Sequence, residues 1–371
     1  MIKNFSSIYI HIPFCKQKCF FCSFVISVAK NHRVNQYLDS LNSEMKKHSK
    51  KKIKTIYIGG GTPSFLDERQ IKKLFYMIKD NFVIDKKCEI TFEINPDLID
   101  LKKAKLLRSL GVNRVSLGAQ SFSNKYLKFL GRTHCCSDIR KSFFILRKAG
   151  FSNINLDFMY GFPGQTTQEL AIDLKKMVDL KSEHLSLYTL TIDPHSKFYR
   201  TKVILPTGDA LARFYVFVVK FLEKKGFCQY EISNFASDKK QSLHNCIYWN
   251  GGNYVGFGVG AHSHLDGERY WNVSKLYDYI VLMQKKKSSV EGKEKLSVRL
   301  RMMESLLIGL RMNKGVKIGV LEKRFGQKIS SEKKKKIECF ISDGFFELKG
   351  GVLCCTMKGR LVLDEISARL I

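Results

Sequence analysis

No run of 18 apolar residues occurs in this 371-residue chain, which excludes a hydrophobic transmembrane helix at the sequence level. Nor do the first residues leave room for a secretion signal before a strand-like segment at 8–12, so the chain is expected to be cytoplasmic. In a reducing compartment its eleven cysteines, an odd number, read as thiols rather than as a disulfide framework. Acidic side chains are scarce, 34 against 64 basic ones, for a net charge of +30. Arginine is scarce too, 16 against 48 lysines, whereas bidentate recognition of phosphates and bases favours arginine. No specific nucleic-acid partner is therefore expected. The lysines cluster at 46–54, 285–287 and 333–336, on apparent helix ends and linkers. An A- and T-rich genome would produce the same excess, and attraction to an acidic membrane surface stays open. The dinucleotide fingerprint G-x-G-x-x-G, a second CxxC pair at zinc-ribbon spacing and internal repeats are all missing.

What is present begins at residues 11–24, HIPFCKQKCFFCSF, where Cys15, Cys19 and Cys22 stand at the spacing C-x3-C-x2-C. Three thiolates on one short loop can hold three irons of a [4Fe–4S] cluster. The remaining iron would keep an open position, the feature that separates reactive metal sites from structural ones. Zinc would need a further ligand, and a thioredoxin-like redox pair has no use for a third cysteine. The arrangement resembles the radical S-adenosylmethionine (SAM) superfamily. That resemblance implies that the open iron chelates the amino and carboxylate groups of SAM.

The length suits a large domain of about 250 residues with a smaller companion. Candidate strands at 8–12, 55–58, 89–94, 114–117, 154–157 and 184–190 alternate with helical patterns at 34–47, 67–80, 101–110, 139–149 and 168–180. Such alternation argues for an α/β fold of parallel βα units wound in one hand. Spacing alone leaves open whether the sheet closes; the radical-SAM resemblance implies an incomplete (βα)6 barrel over residues 1–205. Residues 206–295 are expected to be a barrel extension or linker. Residues 296–371 read as a small winged-helix-like domain, with Leu300, Met303, Leu307 and Leu310 on one helical face, a hairpin turning at Gly350-Gly351, and a closing helix at 358–370.

Polar residues stand at the carboxyl ends of the candidate strands, where a barrel gathers its active site. The turn Gly59-Gly60-Gly61-Thr62-Pro63 follows the second strand, Glu93 ends the third, Gln120 follows the fourth and Asp157 closes the fifth; Arg132 lies twelve residues beyond Gln120. Singly, each is as well explained as a cap, a tight turn or a buried hydrogen-bonding group. Together they form a polar ring suited to ribose hydroxyls and a carboxylate. With the YIHIPFC stretch and the tail, this pattern resembles the oxygen-independent coproporphyrinogen III oxidase family over nearly the whole chain. The resemblance implies SAM contacts at Tyr9, Gly60, Glu93, Gln120, Arg132 and Asp157, with backbone of Phe21 toward the adenine. Gly61 and Thr62 match positions lining a second SAM site in the true oxidase.

Two departures matter. The oxidase motif carries one more cysteine, C-x3-C-x2-C-x-C, at the position of Phe24, and a longer segment ahead of the cluster. Instead, His244-Asn245-Cys246-Ile247-Tyr248-Trp249 matches the H-N-x-x-Y-W signature of the haem chaperone (HemW) branch. Resemblance to that branch implies haem binding through His244, Asn245, Tyr248 and Trp249 and delivery to an acceptor protein; coproporphyrinogen oxidation is the alternative. Imidazole is a common axial ligand and the aromatics could stack on a porphyrin, but the same residues equally fit a core of backbone-bonded polar groups and packed rings. Cys246 and His262 are further candidate ligands. Cys135-Cys136 and Cys354-Cys355 lack ligand spacing and read as small hydrophobes.

Overall fold

The computed structural model describes residues 5–28, 32–237 and 239–370; residues 1–4, where any targeting segment would begin, lie outside them. Short apolar runs form six parallel strands, β1 (Ser7–Ile12), β2 (Lys52–Gly60), β3 (Val83–Ile94), β4 (Arg114–Gln120), β5 (Ile154–Tyr160) and β6 (His184–Thr189). Between them run α1 (His32–Met45), α2 (Glu68–Asn81), α3 (Leu101–Ser109), α4 (Asn124–Leu130), α5 (Cys136–Lys148) and α6 (Thr167–Val178). The strands are apolar on both faces because helices cover the outside and side chains fill the inside. Capping boxes at Asp67–Gln70 and Thr166–Glu169 fix where α2 and α6 begin, each satisfying two otherwise orphaned backbone N–H groups.

Residues 206–295 are more than an extension. They supply α7 (Gly208–Glu223), β7 (Cys228–Glu231), β8 (Asn234–Ala236), α8 (Leu243–Trp249), β9 (Val255–Phe257), β10 (His262–Leu265), β11 (Glu268–Asn272), α9 (Leu276–Gln284) and β12 (Val290–Lys295). Strand β9 adds parallel to β1, while β8 and β7 add antiparallel beyond β6. The nine-stranded order is β9-β1-β2-β3-β4-β5-β6-β8-β7, with β9 and β7 left as edges, so the barrel stays open. These added strands of three or four residues are too short to show a period of two.

A single carboxylate ties the returning segment to the barrel. Glu44, near the end of α1, accepts from Gly258 N (2.8 Å), Asn272 Nδ2 (2.7 Å), Tyr279 Oη (2.6 Å) and Ser289 Oγ (3.0 Å). It is buried, and burial raises its pKa against the opposing pull of these donors. One side chain thus joins α1 to the β9 turn, β11, α9 and the start of β12.

The tail has its own core. Helix α10 (Val298–Gly309) buries Met302, Met303, Leu306 and Leu307, with Leu310 just beyond its end, whereas Leu300 is 42% exposed and stands off the expected face. Helices α11 (Ile318–Phe325) and α12 (Ser331–Ser342) follow, then the hairpin of β14 (Phe346–Lys349) and β15 (Val352–Cys355), which turns at Gly350-Gly351 as expected; β13 (Val316–Lys317) pairs with β15. The expected single closing helix is instead two, α13 (Met357–Leu361) and α14 (Leu363–Leu370), broken at Val362, where φ is −129°. Arg360 and Leu361 before the break and Leu363, Asp364 and Glu365 after it border the cavity at the barrel mouth.

Replacing Glu44 by alanine removes the acceptor shared by four buried donors, of which Ser289 Oγ and Asn272 Nδ2 keep a second one in Asn272 Oδ1 and Gly258 O. We expect a loss of about 3 kcal/mol or more in unfolding free energy by urea titration, and a loss below about 1 kcal/mol would refute the stapling role.

Candidate functional site

Strand β1 leads directly into the cysteine loop, and the glycine turn after β2 packs against it. A Cβ on Gly60, whose φ is +115°, would lie 2.6 Å from the His11 ring. On Gly61 it would lie 2.8 Å from the Pro13 carbonyl and 2.9 Å from Cys15 Sγ. Position 60 therefore requires glycine for backbone freedom and for space, and position 61 for space alone. His11 Nε2 donates to Val25 O at 2.8 Å, so Nδ1 accepts from the Tyr9 hydroxyl at 2.9 Å. Burial pushes this imidazole down to about 4, so it stays neutral and pins the far end of the loop.

Cys15, Cys19 and Cys22 border a cavity of about 730 Å³ at the carboxyl ends of the strands. Thr62 Oγ1 lies 3.4 Å from Cys15 Sγ, and Arg132 Nη1 donates to Cys19 Sγ at 3.4 Å. Burial pushes the Cys15 thiol up to about 11 and raises Cys22 as well. Cys15 therefore keeps its proton at neutral pH until a cation replaces it. Among the described residues no three His, Cys, Asp or Glu side chains converge on the place of one metal ion. Three thiols that border one cavity fit a cubane whose thiolates each bind a different iron.

The polar ring of the strand ends faces the same cavity. Glu93 Oε1 accepts from the Tyr57 hydroxyl (2.8 Å) and Oε2 from Gly60 N (3.1 Å). Burial, then the neighbouring Asp157 carboxylate, pushes Glu93 up to about 7. Asp157 accepts from Ser116 Oγ (2.7 Å) and Asn155 Nδ2 (2.8 Å), and burial raises it too. Arg132 donates to Asn95 Oδ1 and to Gly118 O (3.1 Å), which aims its guanidinium at the cysteine loop. Gln120 ends β4 at φ +68°, beside an irregularity in the β4–β5 register. A non-glycine residue in the left-handed region at such a place is strain stored at a site. Phe21, Gly60, Gly61, Thr62, Glu93, Gln120, Arg132 and Asp157 all line the cavity with the three cysteines; Tyr9 does not, and its ring instead stacks on Tyr57.

The His244 motif lies elsewhere. Helix α8 closes the barrel at the amino ends of the strands, its first N–H groups held by Glu89, which accepts from Leu243 N (3.1 Å) and His244 N (2.9 Å). His244 is fully buried, with Nδ1 on Thr55 Oγ1 (2.9 Å) and Nε2 on Tyr248 Oη (2.8 Å). The expected axial ligand therefore has no ring nitrogen free in this conformation. Its ring packs on Tyr57, the partner of Glu93, so the motif forms the floor beneath the polar ring. Asn245 and Cys246 are half-buried beside it, and Trp249 lies under the Arg311 guanidinium at 4.7 Å. His262 is exposed and stacks on Trp271, away from the cavity.

Tyr57 faces the same way as Glu93 and could have been found from strand alternation. Arg311, Arg360, Leu361, Leu363, Asp364 and Glu365, by contrast, reach the cavity from the tail and carry no sequence signal. Among the described residues no helix is long and apolar enough to cross a membrane.

Burial and, secondarily, Arg114 push His244 down to about 3. An unfolded chain takes up this proton near 6.5, so the residue costs stability as pH falls from about 6.5 toward 3, by up to ~1.4 kcal/mol per pH unit. In urea titrations at pH 7.5 and 5.5, His244→Asn should show a smaller stability difference between the two than the parent. An equal difference would mean that the imidazole is not held neutral.

A family model described as the radical SAM superfamily matches residues 9–177, and one described as the HemN C-terminal domain matches residues 296–362. The haem chaperone HemW of Bacillus subtilis is 35% identical over 97% of this chain and 97% of its own length. That of Lactococcus lactis is 36% identical over 90% of this chain and 88% of its own. Among solved structures, the coproporphyrinogen III oxidase HemN of Escherichia coli superposes with a TM-score of 0.87 at 24% identity, covering 98% of this chain and 89% of that one, a likeness of fold. An open barrel with three thiols at its mouth, a tail that walls the same cavity and this full-length similarity agree: the chain belongs to the HemW haem chaperone family of radical SAM proteins.

Proposed function

We propose that this protein holds a [4Fe–4S] cluster and SAM in the barrel mouth and carries haem to an acceptor protein. Cys15, Cys19 and Cys22 take three irons and leave one for the amino and carboxylate groups of SAM. When bound, the cluster supplies one electron to the sulfonium of SAM. The chain's own residues bind and orient. Glu93 would accept from the N–H groups of the SAM amino nitrogen beside the Gly60–Thr62 turn, Arg132 would pair with the carboxylate, and Gln120 and Asp157 would pair with the ribose. Phe21 presents backbone to the adenine. Tyr9, through His11, braces the loop. His244, Asn245, Tyr248 and Trp249 serve haem handling from beneath, by fixing Tyr57 and Arg311, not as free ligands.

The observation that carries the chaperone reading over coproporphyrinogen oxidation is Phe24. Two residues past Cys22, where the oxidase motif has its extra cysteine, a phenyl ring 65% exposed stands in the cavity. It has no thiol to offer the chemistry. Anaerobically reconstituted protein given haem should bind it stoichiometrically. The same protein given coproporphyrinogen III, dithionite and SAM should form no protoporphyrinogen at a turnover rate, and such turnover would overturn the proposal.

Two variants test the site. Cys19→Ala should remain folded but lose the broad absorption at the visible–ultraviolet border after reconstitution. Full iron and sulfide content in that variant would exclude Cys19 as a ligand. Glu93, pushed up to about 7, accepts the amino N–H groups most strongly as a carboxylate, so SAM affinity should weaken as pH falls through 7. Calorimetry should find Glu93→Gln at least tenfold weaker for SAM at pH 8, with no such pH dependence between 8 and 6.

A further inference from the structure

The cavity has two halves of different origin. The inner half holds the cysteines and the polar ring. The outer half is bounded by Phe24 from the cysteine loop and by Arg311, Arg360 and Leu361 from the tail, with Tyr188 of β6 reaching it from beside Asp157. Phe24, Tyr188 and Leu361 are 65%, 41% and 38% exposed, and they stand together in one concavity instead of singly on the surface. Grouped exposure of large apolar side chains in a cleft marks a surface meant to be covered.

The cations of this outer half are equally selective. In a chain with 48 lysines and 16 arginines, both basic residues that the tail contributes to the cavity are arginines. Each is held in advance. Arg311 lies over the Trp249 ring at 4.7 Å, and its Nε is buried without an acceptor. Its carboxylate neighbours stand at the outer limit of pairing: Glu231 at 3.9 Å, and Asp364, 96% exposed, at 4.0 Å. Arg360 donates through Nη1 to Gln229 Oε1 at 2.8 Å. Asp364 and Glu365 also line the rim. They repel an anion outside the arginines, and the buried Glu231 repels one behind Arg311, so the charge pattern favours a carboxylate only on the guanidinium edge that borders the cavity. A guanidinium fork matches a carboxylate in two parallel hydrogen bonds, which an ammonium does not do.

An apolar wall and two guanidinium groups on one cavity suit a flat hydrophobic molecule with two acidic arms. We infer that the outer half of the cavity seats the haem cargo, its macrocycle against Phe24, Tyr188 and Leu361 and its two propionates on Arg311 and Arg360. This rests on the chaperone reading and adds the place of binding and the part of haem that is recognised. It also gives the last residue of the His244 motif a task, since Trp249 sets the plane of Arg311. Haem so placed lies in the same cavity as SAM, walled by the barrel on one side and the tail on the other.

The test compares haem with its dimethyl ester, which keeps the macrocycle and iron but masks both carboxylates. The reconstituted full-length parent should bind haem at least tenfold more tightly than the diester in absorbance titrations. Arg311→Gln combined with Arg360→Gln should bind both alike, at the parent's diester affinity, while its iron and sulfide content matches the parent. Phe24→Ala should weaken haem and diester by the same factor. Equal affinity of the parent for the two ligands overturns the inference and leaves the chaperone reading standing, as does a double arginine variant that still discriminates. Failure of the parent to bind haem at all removes both.

Discussion

There is no space for a side chain at position 61. The Pro13 carbonyl and the Cys15 sulfur occupy the volume into which a Cβ would project, and the His11 ring does the same at position 60. The cysteine loop and the turn after β2 are thus a single packed unit, although nearly fifty residues of chain separate them. Everything at the barrel mouth depends on that contact. It fixes Cys15 against Thr62, turns the Gly60 N–H toward Glu93, and so sets where an amino-acid head group can sit relative to three thiols. The pKa pattern follows from the same closeness. Carboxyl groups and thiols are buried together, so burial raises Cys15, Glu93 and Asp157 alike above their ordinary values.

Much of this was legible in the residues. The three-cysteine spacing, the glycine turn and the polar ends of β3, β4 and β5 lie within short windows whose chemistry is local. The parallel strands carry apolar runs that need no partner to be seen. The structure gathers Cys15, Cys19, Cys22, Glu93, Gln120, Arg132 and Asp157 around one cavity. Strands β7, β8 and β9 were not legible because three or four residues carry no periodicity. Glu44 was not, because its worth lies in four donors drawn from residues 258–289. The break at Val362 also escapes a helical pattern, which runs through it unchanged.

The His244 motif shows how a pattern can be read correctly as a pattern and still mislead about mechanism. Histidine, tyrosine and tryptophan at helical spacing invite a haem-ligand reading, while the same residues also fit a packed polar core. In this conformation both ring nitrogens are taken. With Thr55 on one nitrogen and Tyr248 on the other, the imidazole is committed, and its ring supports Tyr57 beneath Glu93. Such a floor costs the fold a neutral histidine in its interior and repays it with a fixed position for the carboxyl above.

One wall of the cavity belongs to polypeptide that follows the barrel by more than a hundred residues and folds around a separate core. The parts that hold the reactive centre and the parts that border its entrance can therefore drift at different rates under selection. Substitutions on α13 and α14 can reshape what is admitted without disturbing the packing between the glycine turn and the cysteine loop. A lineage could in this way exchange one flat acidic guest for another while the interior machinery stayed as it was.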